Sequence, residues 1–126
     1  MTLVTLLWIG LGGALGSISR ALLAVGIKTE FPWATLLANA AGCLLIGLVI
    51  GHESATADWS HHTRGFVVIG FCGGFTTFST FGLQTIRQLE SGNVAAAFSN
   101  ILLSLVVSLL AVWVGVKIGK LLFQGG

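Results

Sequence analysis

The residues most able to do chemistry lie in one uncharged stretch in the second half of the sequence. The segment Gly70–Phe81 reads GFCGGFTTFSTF, with paired glycines followed by a run of hydroxyl residues. Glycine has a low helix propensity, and Ser and Thr side chains compete for backbone hydrogen bonds, so this stretch makes a poor continuous helix. We predict a break near Gly73–Thr76 that divides the segment into two half-helices.

Such a break would offer ligands for ions of both signs. Backbone carbonyls freed from the helix suit a hard cation such as Na+. Beyond the break, Phe78 and Phe81 are three residues apart and share a helix face, and the edge of an aromatic ring carries partial positive charge. Together with hydroxyl and amide donors, these rings would suit a small anion that must lose strongly held water.

Two other uncharged stretches also contain polar residues. Asn39 is isolated among Leu and Ala, and Asn100, Ser104 and Ser108 recur every four residues, which places them on one helix face. A polar group within an apolar span is expensive and tends to mark a pathway. Asn39 could instead bond a neighbouring helix, and the serines could bond back to the preceding turn. Both interpretations remain open from the residues alone.

The elements that must position these groups follow from the distribution of charge. Of 126 residues 55% are hydrophobic and 8% are charged, against about 25% charged in a soluble domain. Between the charges lie four uncharged runs, each close to the ~20 residues that a helix needs to cross a bilayer. Backbone groups in lipid must be paired within the segment, so the runs should be helices. We predict an all-α membrane protein, a single four-helix transmembrane domain over residues 1–126, with spans at about 3–27, 33–52, 64–89 and 93–120.

The positive charges give no preferred orientation. The side holding both termini would carry Arg64, Lys117 and Lys120, and the opposite side would carry Arg20, Lys28 and Arg87. Orientation follows an excess of Lys and Arg on the cytoplasmic side, and here the two sides are equal. We predict insertion in both orientations and an antiparallel, dual-topology homodimer; the alternative is a weakly biased protein that inserts one way. In that dimer two breaks would meet on the axis, and their carbonyls would surround one cation.

Four G-x-x-x-G pairs would allow helix backbones to approach closely. They are Gly12/Gly16, Gly47/Gly51, Gly70/Gly74 and Gly115/Gly119. General helix packing is the simplest interpretation of these pairs.

The Gly70–Phe81 motif closely resembles the signature of the CrcB/Fluc fluoride channels. The stretch Thr35–Gly42, TLLANAAG, resembles the second motif of that family. The resemblance covers essentially the whole chain, including the four-span layout and Arg20 late in the first helix. It implies an antiparallel dimer with two fluoride pores and a central structural Na+.

The resemblance also implies roles for individual residues. The residues that match the pore lining are Asn39, Phe78 and Phe81. Those that match the hydroxyl track are Ser79, Thr80 and Ser108. Those whose backbone carbonyls match the Na+ ligands are Gly73 and Thr76. Family members often have a further Thr one turn beyond Ser108, where this chain has Val112. Arg20 either extends to the membrane surface or attracts anions into a vestibule, and the resemblance does not decide between these roles.

The function expected from these residues is passive fluoride export across a bacterial inner membrane, with no enzymatic activity. The sequence has no phosphate-binding loop, metal-ligand cluster or catalytic triad pattern, and its net charge of +2 gives no sign of nucleic-acid binding. The alternative is a small, dual-topology, proton-coupled multidrug exporter. Proton coupling needs a titratable group within the membrane, whereas the four carboxylates lie at or beyond the span ends: Glu30, Glu53, Asp58 and Glu90.

Overall fold

The computed structural model describes residues 1–56 and 59–123, and every regular element in these two ranges is helical. Four helices are long and apolar enough to cross a membrane: Leu3–Gly26, Trp33–Thr56, His61–Glu90 and Val94–Phe123. The shortest of them have 24 residues, a rise of about 36 Å, which exceeds the ~30 Å of a bilayer core. The predicted all-α, four-span architecture is confirmed.

The first, second and fourth spans are uninterrupted helices, whereas the third is assembled from shorter pieces. The elements in chain order are α1 (Leu3–Gly26), α2 (Trp33–Thr56), α3 (His61–Arg64), a π-helix (Gly65–Cys72), α4 (Gly73–Phe75), α5 (Phe78–Glu90) and α6 (Val94–Phe123). We call α3, the π-helix and α4 together the first half of the third span, and α5 its second half. The π-helix was not predicted from the sequence. π-Helical turns are rare and are frequently found at functional sites.

The third span is interrupted at Thr76 and Thr77. Thr76 has φ −84° and ψ 154°, and Thr77 has φ −151° and ψ 114°, so both are extended. The predicted break is confirmed, but the paired glycines remain helical and the chain leaves the helix after Phe75. The reason is a cap: Thr77 Oγ1 accepts a hydrogen bond from Thr80 N at 3.2 Å, and Thr is favoured at helix N-caps for this bond. The hydroxyl residues therefore decide where α5 begins.

The glycine pairs bring the helices together two by two within the chain. A Cβ atom added at Gly47 would lie 3.0 Å from Gly115 Cα, and one at Gly51 would lie 3.0 Å from Gly119 Cα. The same Cβ atoms would also collide with the carbonyl oxygens of Val112 and Val116, so α2 and α6 pack backbone to backbone at these residues. This is the close approach that G-x-x-x-G pairs permit.

The other two glycine pairs join α1 to the first half of the third span. A Cβ at Gly70 would lie 3.0 Å from Gly12 Cα, and one at Gly16 would lie 2.8 Å from Phe75 N. Gly74 is equally close to α1, at 3.1 Å from Gly13 Cα. The chain therefore contains two tightly packed helix pairs, α2 with α6 and α1 with the first half of the third span. The break lies between that first half and α5.

Candidate functional site

Asn39 of α2 forms a two-bond clamp on the broken backbone. Its Nδ2 donates to Thr77 O at 3.1 Å, and its Oδ1 accepts from Thr77 N at 2.7 Å. The helices approach closely here because the next residue on this face is Gly42, where any Cβ would collide with the methyl group of Thr76. Asn39 thus pairs backbone groups that the break would leave orphaned. Its amide keeps one further N–H that can bind another acceptor.

Two carbonyls at the break lose the donors that a continuous helix would give them. In such a helix Thr77 N–H would bond to Gly73 O, and Thr80 N–H would bond to Thr76 O. Here Thr77 N–H bonds to Asn39, and Thr80 N–H bonds to the Thr77 hydroxyl. Gly73 and Thr76 are the residues whose carbonyls match Na+ ligands by the family resemblance, and each of these carbonyls lacks the donor that a continuous helix would give it.

Arg20 provides a donor for a third carbonyl at the end of the first half. Its Nε donates to Gly74 O at 3.1 Å, and the side chain is half-buried. The guanidinium is therefore turned towards the break. Since Arg carries five N–H donors, most of them remain free for other acceptors.

Six of the predicted site residues line one cavity of about 360 Å³, which we call the inner cavity. They are Asn39, Gly73, Thr76, Phe78, Phe81 and Ser108. The rings of Phe78 and Phe81 have centroids 5.6 Å apart at an angle of 49°. Phe78 is 79% exposed in the single chain, so the cavity is bordered by a large aromatic surface that this chain does not cover.

Arg20 and Thr80 line a second, smaller cavity of about 190 Å³, together with Thr77 and Gln84. We call it the connecting cavity. Thr77 lines both cavities, and its hydroxyl lies 3.0 Å from Thr80 Oγ1 and 3.3 Å from Ser79 Oγ. Two of the three predicted hydroxyl residues, Ser79 and Thr80, thus lie at the start of α5, with Ser79 exposed on the surface of the chain.

The polar stripe of α6 divides into two parts. Asn100 Nδ2 donates to Thr85 Oγ1 at 3.0 Å, and Ser104 Oγ donates to Asn100 Oδ1 at 3.2 Å. Thr85 in turn donates to Phe81 O at 2.8 Å. These bonds fasten α6 to α5, and Asn100 is 2% exposed. Ser108 lies beyond this network and faces the inner cavity.

Comparison with known proteins gives the family. The model of CrcB-like proteins, described as "CrcB-like protein, Camphor Resistance (CrcB)", matches residues 7–116. The chain belongs to the CrcB-like family. A relative from Flavobacterium psychrophilum, named fluoride-specific ion channel FluC, is 43% identical over 92% of this chain and 97% of its own length. Relatives of the same name from Geobacter sulfurreducens and Clostridium perfringens are each 40% identical over 94% and 96% of the chain, and over 98% of their own lengths.

The family and the four apolar helices together make the chain a multi-pass protein of the bacterial inner membrane. The predicted resemblance to CrcB/Fluc proteins is confirmed. In this CrcB-like chain, sequence reasoning missed Thr77 as the residue that joins the two cavities. The sequence did contain an indication, since Thr is a preferred N-cap residue and Thr77 immediately precedes the segment that forms α5.

Proposed function

We propose that this CrcB-like chain is a fluoride channel that exports the anion passively. The relatives are named fluoride-specific ion channels, and conduction of an ion through a channel requires no enzymatic chemistry. The observation that carries the proposal is the interruption at Thr76 and Thr77, which opens the third span between two cavities lined by hydroxyl, amide and aromatic groups.

The start of α5 supplies positive potential inside the membrane. The first N–H groups of a helix have no partner within the helix, and the helix dipole adds partial positive charge there. Thr80 N–H is capped by Thr77, whereas the N–H groups of Phe78 and Ser79 precede it at the helix start. Half-helix N-termini at membrane depth are a common way to bind anionic groups. The charge of Arg20 beside the break acts in the same direction.

The donors suit fluoride because they are hard hydroxyl and amide groups. The hydroxyls of Ser79, Thr80 and Ser108 and the free N–H of Asn39 can replace water around a small anion. The edges of Phe78 and Phe81 add weak positive charge without competing donors. A larger anion such as chloride gains less from this set, because its charge is spread over a bigger surface.

A second copy of the chain completes the pathway in our proposal. Phe78 is exposed and the inner cavity is open on that side, and an antiparallel partner would cover both. Three Lys and Arg residues on each side of the membrane favour insertion in both orientations. The partner would also supply two more carbonyls, so that Gly73 and Thr76 of both copies would hold one structural Na+. The ion would stabilise the contact between the two copies at their breaks, and it would not be transported.

Passive conduction is sufficient for export. Hydrogen fluoride crosses lipid as the neutral acid and ionises inside, where the anion is trapped. An inside-negative potential then favours anion exit by ~2.3 kcal/mol per 100 mV. Within the described residues Glu30, Glu53 and Glu90 lie at helix ends or in connections, so the structure offers no support for a proton-coupled exporter.

Efflux from liposomes tests the function. Vesicles that contain the purified protein should release fluoride and almost no chloride once a potassium ionophore is added. The ionophore lets K+ leave with the anion, so that no membrane potential builds up to stop the efflux. Equal rates for the two anions would contradict the proposed selectivity. Replacing Phe78 or Phe81 with Ile should reduce fluoride flux by roughly 2- to 13-fold, if the contact of a ring edge with the anion is worth the ~0.5–1.5 kcal/mol that an aromatic pair contributes beyond its area. Phe98, which is exposed on α6, provides the matched control, Phe98→Ile.

A reporter fused to the C-terminus tests the orientation. Signal should appear on both sides of the membrane in similar amounts. Signal on one side alone would rule out dual topology while leaving fluoride conduction untouched.

A Na+ gradient should not drive fluoride flux, and flux that scaled with that gradient would contradict a structural role for the ion.

A further inference from the structure

The inner cavity contains a pair of thiols that the anion pathway does not use. Cys43 of α2 and Cys72 of the π-helix both line it, and both are free cysteines. Cys72 is 3% exposed and Cys43 is half-buried. Apolar side chains such as Ile46, Val68 and Leu105 border the same space. Both thiols therefore face one shared volume.

The packing of α2 against the third span brings the two thiols to the same level. Asn39 contacts Thr77, and a Cβ at Gly42 would collide with Thr76, so the two segments run antiparallel with this register. One turn further along α2 is Cys43, and one turn back from Thr76 is Cys72, on the same helix faces. Both cysteines therefore lie at one level of the packed segments and line the same cavity.

We propose that Cys43 and Cys72 form a two-coordinate site for a soft divalent metal ion, with mercury(II) as the ligand of matching chemistry. Thiolates select soft metals, and the thiolate is the form that binds. Mercuric chloride would exchange both chlorides for sulfur: HgCl2 and two thiols give one neutral Cys–Hg–Cys bridge, two protons and two chloride ions. No change in oxidation state is involved.

Charge and coordination number favour this metal over others. A monovalent soft ion between two thiolates would leave a net negative charge in an apolar cavity, which is costly, whereas a divalent ion gives a neutral bridge. Zinc takes four ligands, and no group of three or more His, Cys, Asp or Glu residues with metal-binding placement is found within residues 1–56 and 59–123. Neutral HgCl2 can also reach a site within the membrane through lipid.

Occupancy would have a consequence for conduction, and this part rests on the proposed function. The bridge would lie in the same cavity as Asn39, Phe78, Phe81 and Ser108, and it would fasten α2 to the residues just before the break. We expect bound mercury to block fluoride flux and a dithiol reductant to restore it. In each variant the treated flux is compared with the untreated flux of that same variant.

The binding experiment does not depend on flux. Purified protein is treated with HgCl2, washed with an excess of a monothiol, and analysed by intact mass and by counting free thiols. The wild type should keep one mercury per chain with both thiols blocked. Cys43→Ser and Cys72→Ser should lose the metal to the wash, because a single sulfur cannot chelate it. Two mercury ions per chain, or retention by either single variant, would overturn the site.

The two proposals fail separately. A wild-type protein that binds mercury through both thiols but releases no fluoride would refute the channel function and keep the metal site. A protein that releases fluoride and whose flux mercury reduces equally in wild type and in Cys43→Ser would keep the channel and overturn the site. The double variant Cys43→Ser/Cys72→Ser measures any effect of mercury that does not involve thiols.

Discussion

The clamp between Asn39 and Thr77 should be measurable as protection of one backbone amide. Replacing Asn39 with Leu keeps a similar volume and removes both hydrogen bonds. Thr77 N–H is then a buried donor without a partner, which costs ~1–3 kcal/mol. Thr77 O loses the bond from Asn39 Nδ2, and the loss of a typical hydrogen bond costs roughly 0.5–1.5 kcal/mol.

The two contributions amount to about 1.5–4.5 kcal/mol of local stability, obtained by adding these ranges. Every ~1.4 kcal/mol changes an equilibrium tenfold, so we expect the Thr77 amide to exchange with solvent roughly 10- to 2,000-fold faster in Asn39→Leu. Hydrogen exchange of that amide, followed by NMR in detergent micelles, is the direct assay. Asn39→Asp keeps an acceptor oxygen for Thr77 N–H and should retain most of the protection.

Asn100→Leu is the matched control. Asn100 is the other asparagine within a span, but its partners are the side chains of Thr85 and Ser104, so its loss orphans no backbone group. Side-chain hydrogen bonds between membrane helices average ~0.6 kcal/mol. We expect Thr77 exchange to be unchanged in this variant. If Asn39→Leu also leaves Thr77 exchange at the wild-type rate, the amide does not hold the break and our account of the site is wrong.

Three further predictions concern packing, the break and the surface. Gly115→Leu should destabilise the fold by ~1–3 kcal/mol or more through overpacking against α2, whereas Gly10→Leu, with nothing within 4 Å of its added Cβ, should leave thermal unfolding in detergent unchanged; equal effects would refute the paired-glycine packing. Arg20→Gln removes a charged donor from Gly74 O and should lower stability by about 1.5–3 kcal/mol as well as fluoride flux; an unaltered unfolding midpoint would contradict the bond. Glu53→Gln breaks an ion pair whose side chains are 23% and 44% exposed, so it should cost no more than ~1 kcal/mol, and less in high salt; a larger, salt-independent loss would show that the pair is not a surface interaction.

Conduction and stability can be separated in these variants. Gly115 lies on the contact between α2 and α6, away from the break, so its replacement should lower protein yield and the unfolding midpoint before it changes anion selectivity. Arg20 lies beside the break and should affect both. A variant at Gly115 that folds normally yet loses discrimination between fluoride and chloride would show that the α2–α6 pair shapes the pathway directly.

The sequence by itself determined the number and nature of the spans. Charges are absent from four long runs, and lipid forces the backbone of each run to pair within itself, so four helices follow without knowledge of the tertiary structure. The break in the third span also followed from local chemistry, because glycine and hydroxyl residues weaken a helix wherever it lies. The family resemblance named six of the residues that line the inner cavity.

Tertiary structure decided which backbone groups at the break are paired and which remain free. Thr76 and Thr77 are extended because Thr77 caps α5 and because Asn39, 38 positions earlier in the chain, bonds its N–H and C=O. The same is true of Arg20, whose bond to Gly74 O depends on the close packing of α1 against α4. Hydrogen bonds between distant segments depend on how the helices pack against one another. They therefore cannot be predicted from the residue pattern of a single segment.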